Sequence, residues 1–133
     1  MKAYSTDFSQ PALATGLPAV QAALARAAGE IGLSEADAAR LALIVEELYV
    51  NTITHGQCSA ASSAVDILLR RDADGVHLRY SDAAAAFDLA ASPCTPADDE
   101  SAIGGLGITL IHGLCRHVSA RHVDGRNIYE LVL

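Results

Sequence analysis

The sequence predicts an α+β fold, a two-layer sandwich with helices packed on one face of a mixed, mostly antiparallel sheet. Two amphipathic helical patterns come early in the chain, and two pairs of alternating, strand-like segments follow them. Short turn sequences join the members of each pair, as in β-hairpins. The predicted order is β-α-α-β-β-loop-α-β-β. At 133 residues, the chain is expected to form one domain over residues 1–133.

The composition excludes several classes of protein. Hydrophobic residues make up 51% and charged residues 19%, which is typical of a globular chain. The net charge of −7, with no basic stripe, argues against a nucleic-acid partner. The three cysteines form no C-x-x-C pair, so neither a disulfide framework nor a zinc site is expected. Without a signal peptide or a membrane-length apolar run, a reduced, cytoplasmic protein is expected.

The first elements are a short edge strand and a helix. Residues 3–9 alternate loosely, which is compatible with an edge strand, and residues 11–18 form a connector. Residues 18–31 carry an apolar stripe at helical spacing. Gly29 is expected to weaken this helix and Gly32 to stop it. The residues of the stripe are Val20, Leu24, Ala27 or Ala28, and Ile31.

A second, longer helix is predicted to begin near Ser34 and to end near Gly56. Ser34 is a suitable N-cap, with Asp37 three residues on in a capping-box arrangement. Gly56 is suited to a left-handed turn at the end of the helix. The buried stripe of this helix is predicted to contain Leu41, Ile44 or Val45, Leu48 and Thr52.

Glu47 and Asn51 are four residues apart and therefore lie on the same face of this helix. Leu43 precedes them by one turn and His55 follows by one turn, so an acid and an amide share a largely apolar face. An exposed pair on a solvated edge is the ordinary explanation. Alternatively, the Asn51 oxygen is a suitable ligand for Mg²⁺, and Glu47 could accept a proton from an attacking hydroxyl.

The second half of the chain contains both hairpins. Residues 64–71 and 76–81 are predicted strands joined by a turn at residues 72–75. Residues 116–123 and 127–133 form the second hairpin, because Asp124-Gly125 between them is a strong hairpin signal. The order of hairpins and helices is what predicts the sandwich.

The segment between the hairpins carries the other candidate binding residues. Asp82 ends a strand, where it could accept a hydrogen bond from a base amino group or simply form a turn. Residues 89–103 make a long connection of the kind that is usually functional or mobile. Gly104-Gly105-Leu106-Gly107 then opens a short helix, a pattern that exposes backbone N–H groups to anions. Taken alone, these glycines are equally explained by a tight turn.

The three features in this order resemble the Bergerat-type ATP-binding fold of the gyrase, histidine kinase and MutL ATPase domains, also called the GHKL or histidine-kinase-like ATPase fold. The features are Glu47-x-x-x-Asn51 on a long helix, Asp82 at a strand end, and the Gly-Gly-x-Gly start of a helix. The small size of the chain and the sequence around these motifs look most like the anti-sigma-factor serine/threonine kinase branch of this family. The resemblance covers residues 17–133.

This resemblance implies a role for each candidate residue. Glu47 would be the general base, and Asn51 would coordinate the Mg²⁺ that bridges the ATP phosphates. Asp82 would bind the adenine amino group, and residues 89–103 would form the ATP lid. The phosphates would be contacted by backbone amides of Gly104, Gly105 and Gly107.

The resemblance also implies a function and partners. Members of this branch use ATP and Mg²⁺ to phosphorylate a serine on a STAS-domain anti-anti-sigma antagonist, and they sequester a sigma factor. They tend to form homodimers. Fragments of histidine kinases and gyrase-like ATPases fit less well, because the sequence offers neither a phosphoacceptor helix nor transducer segments.

Two departures from the family pattern support an alternative function. Ala84 lies within a run of four alanines where the family usually has glycine, and its methyl group would hinder close approach of the base. The lid segment also lacks lysine and arginine. The alternative is a binding module that captures a protein partner without transferring phosphate. Asn127 stands about where many relatives have threonine, and its role is left open.

Overall fold

The structure, a computed structural model, describes residues 4–11, 15–55, 64–83 and 109–133. The helices are α1 (Leu17–Glu30), α2 (Glu35–His55) and α3 (residues 109–114). The strands are β1 (Tyr4–Pro11), β2 (Ala64–Asp72), β3 (Gly75–Asp82), β4 (His117–Val123) and β5 (Arg126–Val132). Within these described ranges, the helices and strands follow the predicted order; the predicted loop at residues 89–103 lies outside them.

The strands form one five-stranded sheet in the order β1-β2-β3-β5-β4, and every pair of neighbours is antiparallel. α1 packs against α2 and β1, while α2 packs against β3. The buried residues of the helices and of the inner sheet face form one hydrophobic cluster. The α+β sandwich predicted from the sequence is therefore confirmed, but among the described strands the sheet is antiparallel throughout and not mixed.

Both helical stripes are buried as predicted. In α1, Val20, Leu24, Ala27 and Ala28 are buried, and in α2 the stripe from Leu41 to Thr52 retains at most 2% exposure. The Ser34 hydroxyl accepts a hydrogen bond of 3.1 Å from the Asp37 N–H, which confirms the N-cap of α2. Gly56, the predicted end of this helix, lies outside the described residues.

Several boundaries differ from those predicted. β1 runs to Pro11, two residues beyond its predicted end, which an edge strand permits because proline is tolerated there. α1 begins one residue earlier, at Leu17, with Pro18 in its first turn, where a missing N–H costs nothing. Gly32 has φ of +71°, so it ends α1 in the left-handed conformation that glycine adopts most easily.

The turn at Asp124-Gly125 determines a register on which the site depends. Both residues have positive φ, 53° and 77°, as a type I′ turn requires. Val123 therefore pairs with Arg126, and His122 pairs with Asn127. On the other side of β5, Asn127 pairs with Asp82. His122, Asn127 and Asp82 consequently lie side by side across three neighbouring strands.

Candidate functional site

The candidate site is centred on the carboxylate of Asp82, the last residue of β3. Its side chain retains only 2% exposure, although it lies at the end of a strand. A buried carboxylate is costly unless hydrogen-bond donors surround it. Its position at the strand end agrees with the sequence-based prediction.

Two donors reach the two oxygens of this carboxylate. Thr52 of α2 donates from its hydroxyl to Oδ2 at 2.7 Å, and Asn127 of β5 donates from Nδ2 to Oδ1 at 2.9 Å. Both partners are themselves buried, with exposures of 2% and 0%. The carboxylate is therefore held from the helix layer on one side and from the sheet on the other.

The directions of the hydrogen bonds around Thr52 follow from proton counting. Its hydroxyl lies 2.7 Å from both the Tyr80 hydroxyl and Asp82 Oδ2, and 3.0 Å from the Leu48 carbonyl oxygen. A hydroxyl has one proton, and the carboxylate is the strongest of these acceptors. Thr52 therefore donates to Asp82, and Tyr80 donates to Thr52.

Tyr80 is well suited to this donor role. Burial, reinforced by the nearby charge of Asp82, raises the pKa of the Tyr80 phenol well above its usual range. The ring stacks on Tyr129 of β5, with centroids 6.1 Å apart and an interplanar angle of 18°. The phenol thus remains protonated and is fixed in place.

On the sheet side, His122 extends the group to the edge strand β4. Its Nδ1 atom is 3.2 Å from the Oδ1 atom of Asn127. We refer to the five side chains joined in this way as the Asp82 cluster: Thr52, Tyr80, Asp82, His122 and Asn127. The cluster runs from the core to an exposed histidine.

The predicted catalytic residues lie on the same helix as Thr52, a member of this cluster. Glu47 and Asn51 are half-buried, and Asn51 immediately precedes Thr52 in the helix. Within the described part of the chain, neither side chain takes part in an ion pair or a hydrogen bond. Leu43, one turn earlier, is 44% exposed, so this face is open to the surface and is not part of the core.

The side-chain oxygen of Asn51 fits the chemistry of a Mg²⁺ ion that is held together with phosphates. Mg²⁺ takes one or two protein oxygens and completes its coordination with water and substrate phosphates. Among the described residues, no group of three or more His, Cys, Asp or Glu side chains could form a closed metal cage. The amide oxygen of Asn51 matches the more open kind of site, and Glu47 one turn earlier remains available as a base.

The remaining predicted residues lie outside the described residues. These are the phosphate-binding glycines, the lid segment at residues 89–103, and the alanine that replaces the usual glycine; the residues are Gly104, Gly105, Gly107 and Ala84. Their predicted roles stay predictions, as do the catalytic role of Glu47 and the metal-binding role of Asn51. Among the described residues, no helix is long and apolar enough to cross a membrane.

Sequence reasoning missed three members of the Asp82 cluster. Thr52 was predicted only as part of a buried stripe, and neither Tyr80 nor His122 was singled out. The register of the second hairpin carried a usable signal, because a two-residue turn at Asp124-Gly125 places His122 opposite Asn127. The pairing of β5 with β3 is what brings Asn127 to Asp82.

Comparison with known proteins identifies the family of the fold. Residues 10–133 match the histidine kinase-like ATPase domain. Among solved structures, the fold is similar to the crystal structure of the RsbU and RsbW domains of Rv1364c from Mycobacterium tuberculosis, with a TM-score of 0.69 and 18% identity. That match covers 96% of this chain but 31% of the other. No curated protein matches the sequence. The chain belongs to the histidine kinase-like ATPase domain family.

Proposed function

We propose that this protein is an ATP-binding regulator of the anti-sigma-factor kinase type, which phosphorylates a serine of a STAS-domain antagonist and binds a sigma factor. The observation that carries the proposal is the contact between Thr52 and Asp82. It brings the helix turn that holds Asn51 against the carboxylate assigned to adenine. The base and the phosphates of one nucleotide would lie on the two sides of this contact.

In the proposed reaction, Glu47 accepts the proton of the attacking serine hydroxyl. The serine oxygen forms a bond to the γ-phosphorus, the bond to the bridging oxygen breaks, and ADP leaves. Asn51 would hold Mg²⁺, which neutralises phosphate charge when it is bound. Asp82 would orient the adenine ring, and the glycines at 104, 105 and 107 would contact the phosphates.

Two comparisons support this branch of the family. The sequence resembles the anti-sigma-factor kinases over most of its length, and the fold is similar to a structure that contains an RsbW domain. Because the identity is only 18%, this likeness concerns the fold. The serine substrate, the sigma factor and a homodimer are therefore proposals that follow from the branch.

A binding module without phosphoryl transfer is the second candidate. The observation that favours it is that each oxygen of Asp82 already accepts a hydrogen bond from a protein donor, and the residue is 2% exposed. A buried structural carboxylate would have the same surroundings. Together with Ala84, this arrangement would be expected of a protein that keeps the fold but no longer binds a nucleotide.

Calorimetric titration distinguishes the two candidates. The purified protein is titrated with ATP and with ADP, each with and without Mg²⁺. Saturable, Mg²⁺-dependent binding that is lost in Asp82→Asn and weakened in Asn51→Ala would support the kinase. A folded protein that binds no nucleotide at millimolar concentration would contradict it and leave the binding module.

A further inference from the structure

We infer that His122 and Asn127 are positioning residues for Asp82, acting as a hydrogen-bond relay that runs from the exposed edge of the sheet to the buried carboxylate. The relay lies within the proposed nucleotide site and thus deepens the proposed function. Its existence in the free protein, however, does not depend on nucleotide binding. The residues come from β4, β5 and β3, in adjacent positions of neighbouring strands.

The direction of the relay follows from the chemistry of its acceptor. An ionised carboxylate can only accept hydrogen bonds, so the side-chain amide group of Asn127 must direct its NH₂ toward Asp82. Its carbonyl oxygen then faces His122 at 3.2 Å. A carbonyl oxygen can also only accept a hydrogen bond, so His122 must carry a proton on Nδ1.

This requirement fixes an unusual state of the histidine. A neutral imidazole has one protonated nitrogen, and the partner of the other nitrogen selects which one it is. Here Asn127 selects Nδ1–H and leaves Nε2 as the exposed acceptor. If the proton were on Nε2, the amide of Asn127 would have to rotate and turn its oxygen toward the carboxylate, which would be repulsive.

The consequence for the site is a carboxylate that cannot rotate freely. Thr52 holds Oδ2 from α2, and the relay holds Oδ1 from the sheet. Such a fixed acceptor favours a nucleobase with an amino group at the contacted position over one with a carbonyl, because a carbonyl oxygen has no proton to donate and would be repelled by the carboxylate oxygen.

The first test reads the tautomer directly. In ¹⁵N-labelled protein without nucleotide, the imidazole nitrogen shifts of His122 are measured at a pH where the ring is neutral. The expected result is a proton on Nδ1, which moves to Nε2 in Asn127→Ala. A native protein with the proton on Nε2 would overturn the relay, whatever its affinity for ATP.

The second test measures discrimination between ATP and ITP, whose base has a carbonyl in place of the amino group. His122→Phe keeps a ring but removes the donor, so the preference for ATP should fall about fivefold to tenfold. His122→Asn supplies an N–H near the position of Nδ1 and should restore much of the preference. His117→Phe, on the same strand but in the opposite alternation, is the matched control and should change nothing.

The two tests separate the relay from the proposed function. If the native protein binds neither nucleotide, the proposed function fails, and the tautomer alone decides whether the relay exists. If ATP binds but His122→Phe keeps the full preference over ITP, the nucleotide site stands and the positioning role is wrong.

Discussion

Thr52 donates a hydrogen bond of 2.7 Å to the buried carboxylate of Asp82, and this contact joins the last turn of the long helix α2 to the end of a central strand. The two residues are 30 positions apart in the sequence. Because Asn51 precedes Thr52, the contact also determines where the predicted catalytic face lies relative to the carboxylate.

The first prediction concerns this contact. Thr52→Val keeps the shape of the side chain but removes the hydroxyl, so that Asp82 loses one of its buried hydrogen bonds and the buried Tyr80 hydroxyl loses its bond to Thr52. The free energy of unfolding should fall by about 1–3 kcal/mol. Urea denaturation measures this change. Thr52→Ser, which keeps the hydroxyl, is the control, and equal losses in the two variants would show that the hydrogen bond is not responsible.

The second prediction concerns Arg126 at the start of β5. Its guanidinium donates to the Ser81 hydroxyl at 2.9 Å, to the Ala64 carbonyl at 2.9 Å and to Asp66 at 3.1 Å, which ties β5 to the ends of β2 and β3. Arg126→Ala should lower the free energy of unfolding by about 1–3 kcal/mol.

Arg121→Ala is the matched control for this variant. Arg121 pairs with Glu130 at 3.2 Å, but the two side chains are 56% and 43% exposed. Exposed pairs contribute about 0–1 kcal/mol. Chemical denaturation of both variants under the same conditions tests the difference, and similar losses would contradict the bridging role of Arg126.

The third prediction uses two glycines at the end of α1. Gly29 lies inside the helix, and an added Cβ would meet no atom within 4 Å, so Gly29→Ala should stabilise the protein by about 0.5–1 kcal/mol. Gly32 has φ of +71°, so Gly32→Ala should destabilise it by about 1 kcal/mol. Opposite shifts in the thermal midpoint are expected, and shifts of the same sign would be inconsistent with this geometry.

The fourth prediction is a loss of stability at alkaline pH. Burial raises the pKa of Cys115 from 9.0 to about 11, and burial raises the pKa values of Tyr80 and Tyr129 above their ordinary value of 10.0. In the unfolded chain these groups lose their protons first. Their contribution is therefore complete below about pH 9 and decreases as the pH rises above it.

Urea midpoints at about pH 8 and about pH 10.5 test this expectation. The midpoint should be lower at the higher pH, and tyrosinate absorbance from Tyr80 should appear only together with unfolding. Cys115→Ser should remove the part of the decrease that begins near pH 9. A midpoint that rises with pH would contradict the direction of these shifts.

The fifth prediction tests the proposed reaction. Glu47→Gln keeps the size of the side chain but removes the base, so the rate of phosphoryl transfer to a STAS-domain serine should fall about 10²- to 10⁴-fold. Nucleotide affinity, measured by calorimetry, should change little. Transfer at the normal rate would show that Glu47 is not the base, and Glu46→Gln on the neighbouring position is the control.

The sequence by itself determined the α+β class, the order of the elements and the buried stripes of both helices. Their physical basis is local: side-chain periodicity reports which face of a helix or strand is buried, and glycine and capping residues mark the ends. Ser34 and Gly32 lie at helix ends for this reason. The placement of Asp82 at the end of a strand follows from the same local pattern.

Only the tertiary structure decided which residues surround that carboxylate. Periodicity identified Thr52 as buried, but a buried threonine can donate to its own helix or to another element, and the packing of α2 on β3 selects Asp82. Asn127 reaches Asp82 because β5 pairs with β3, a neighbour that is distant in the chain. Contacts of this kind depend on strand order, and no local propensity encodes strand order.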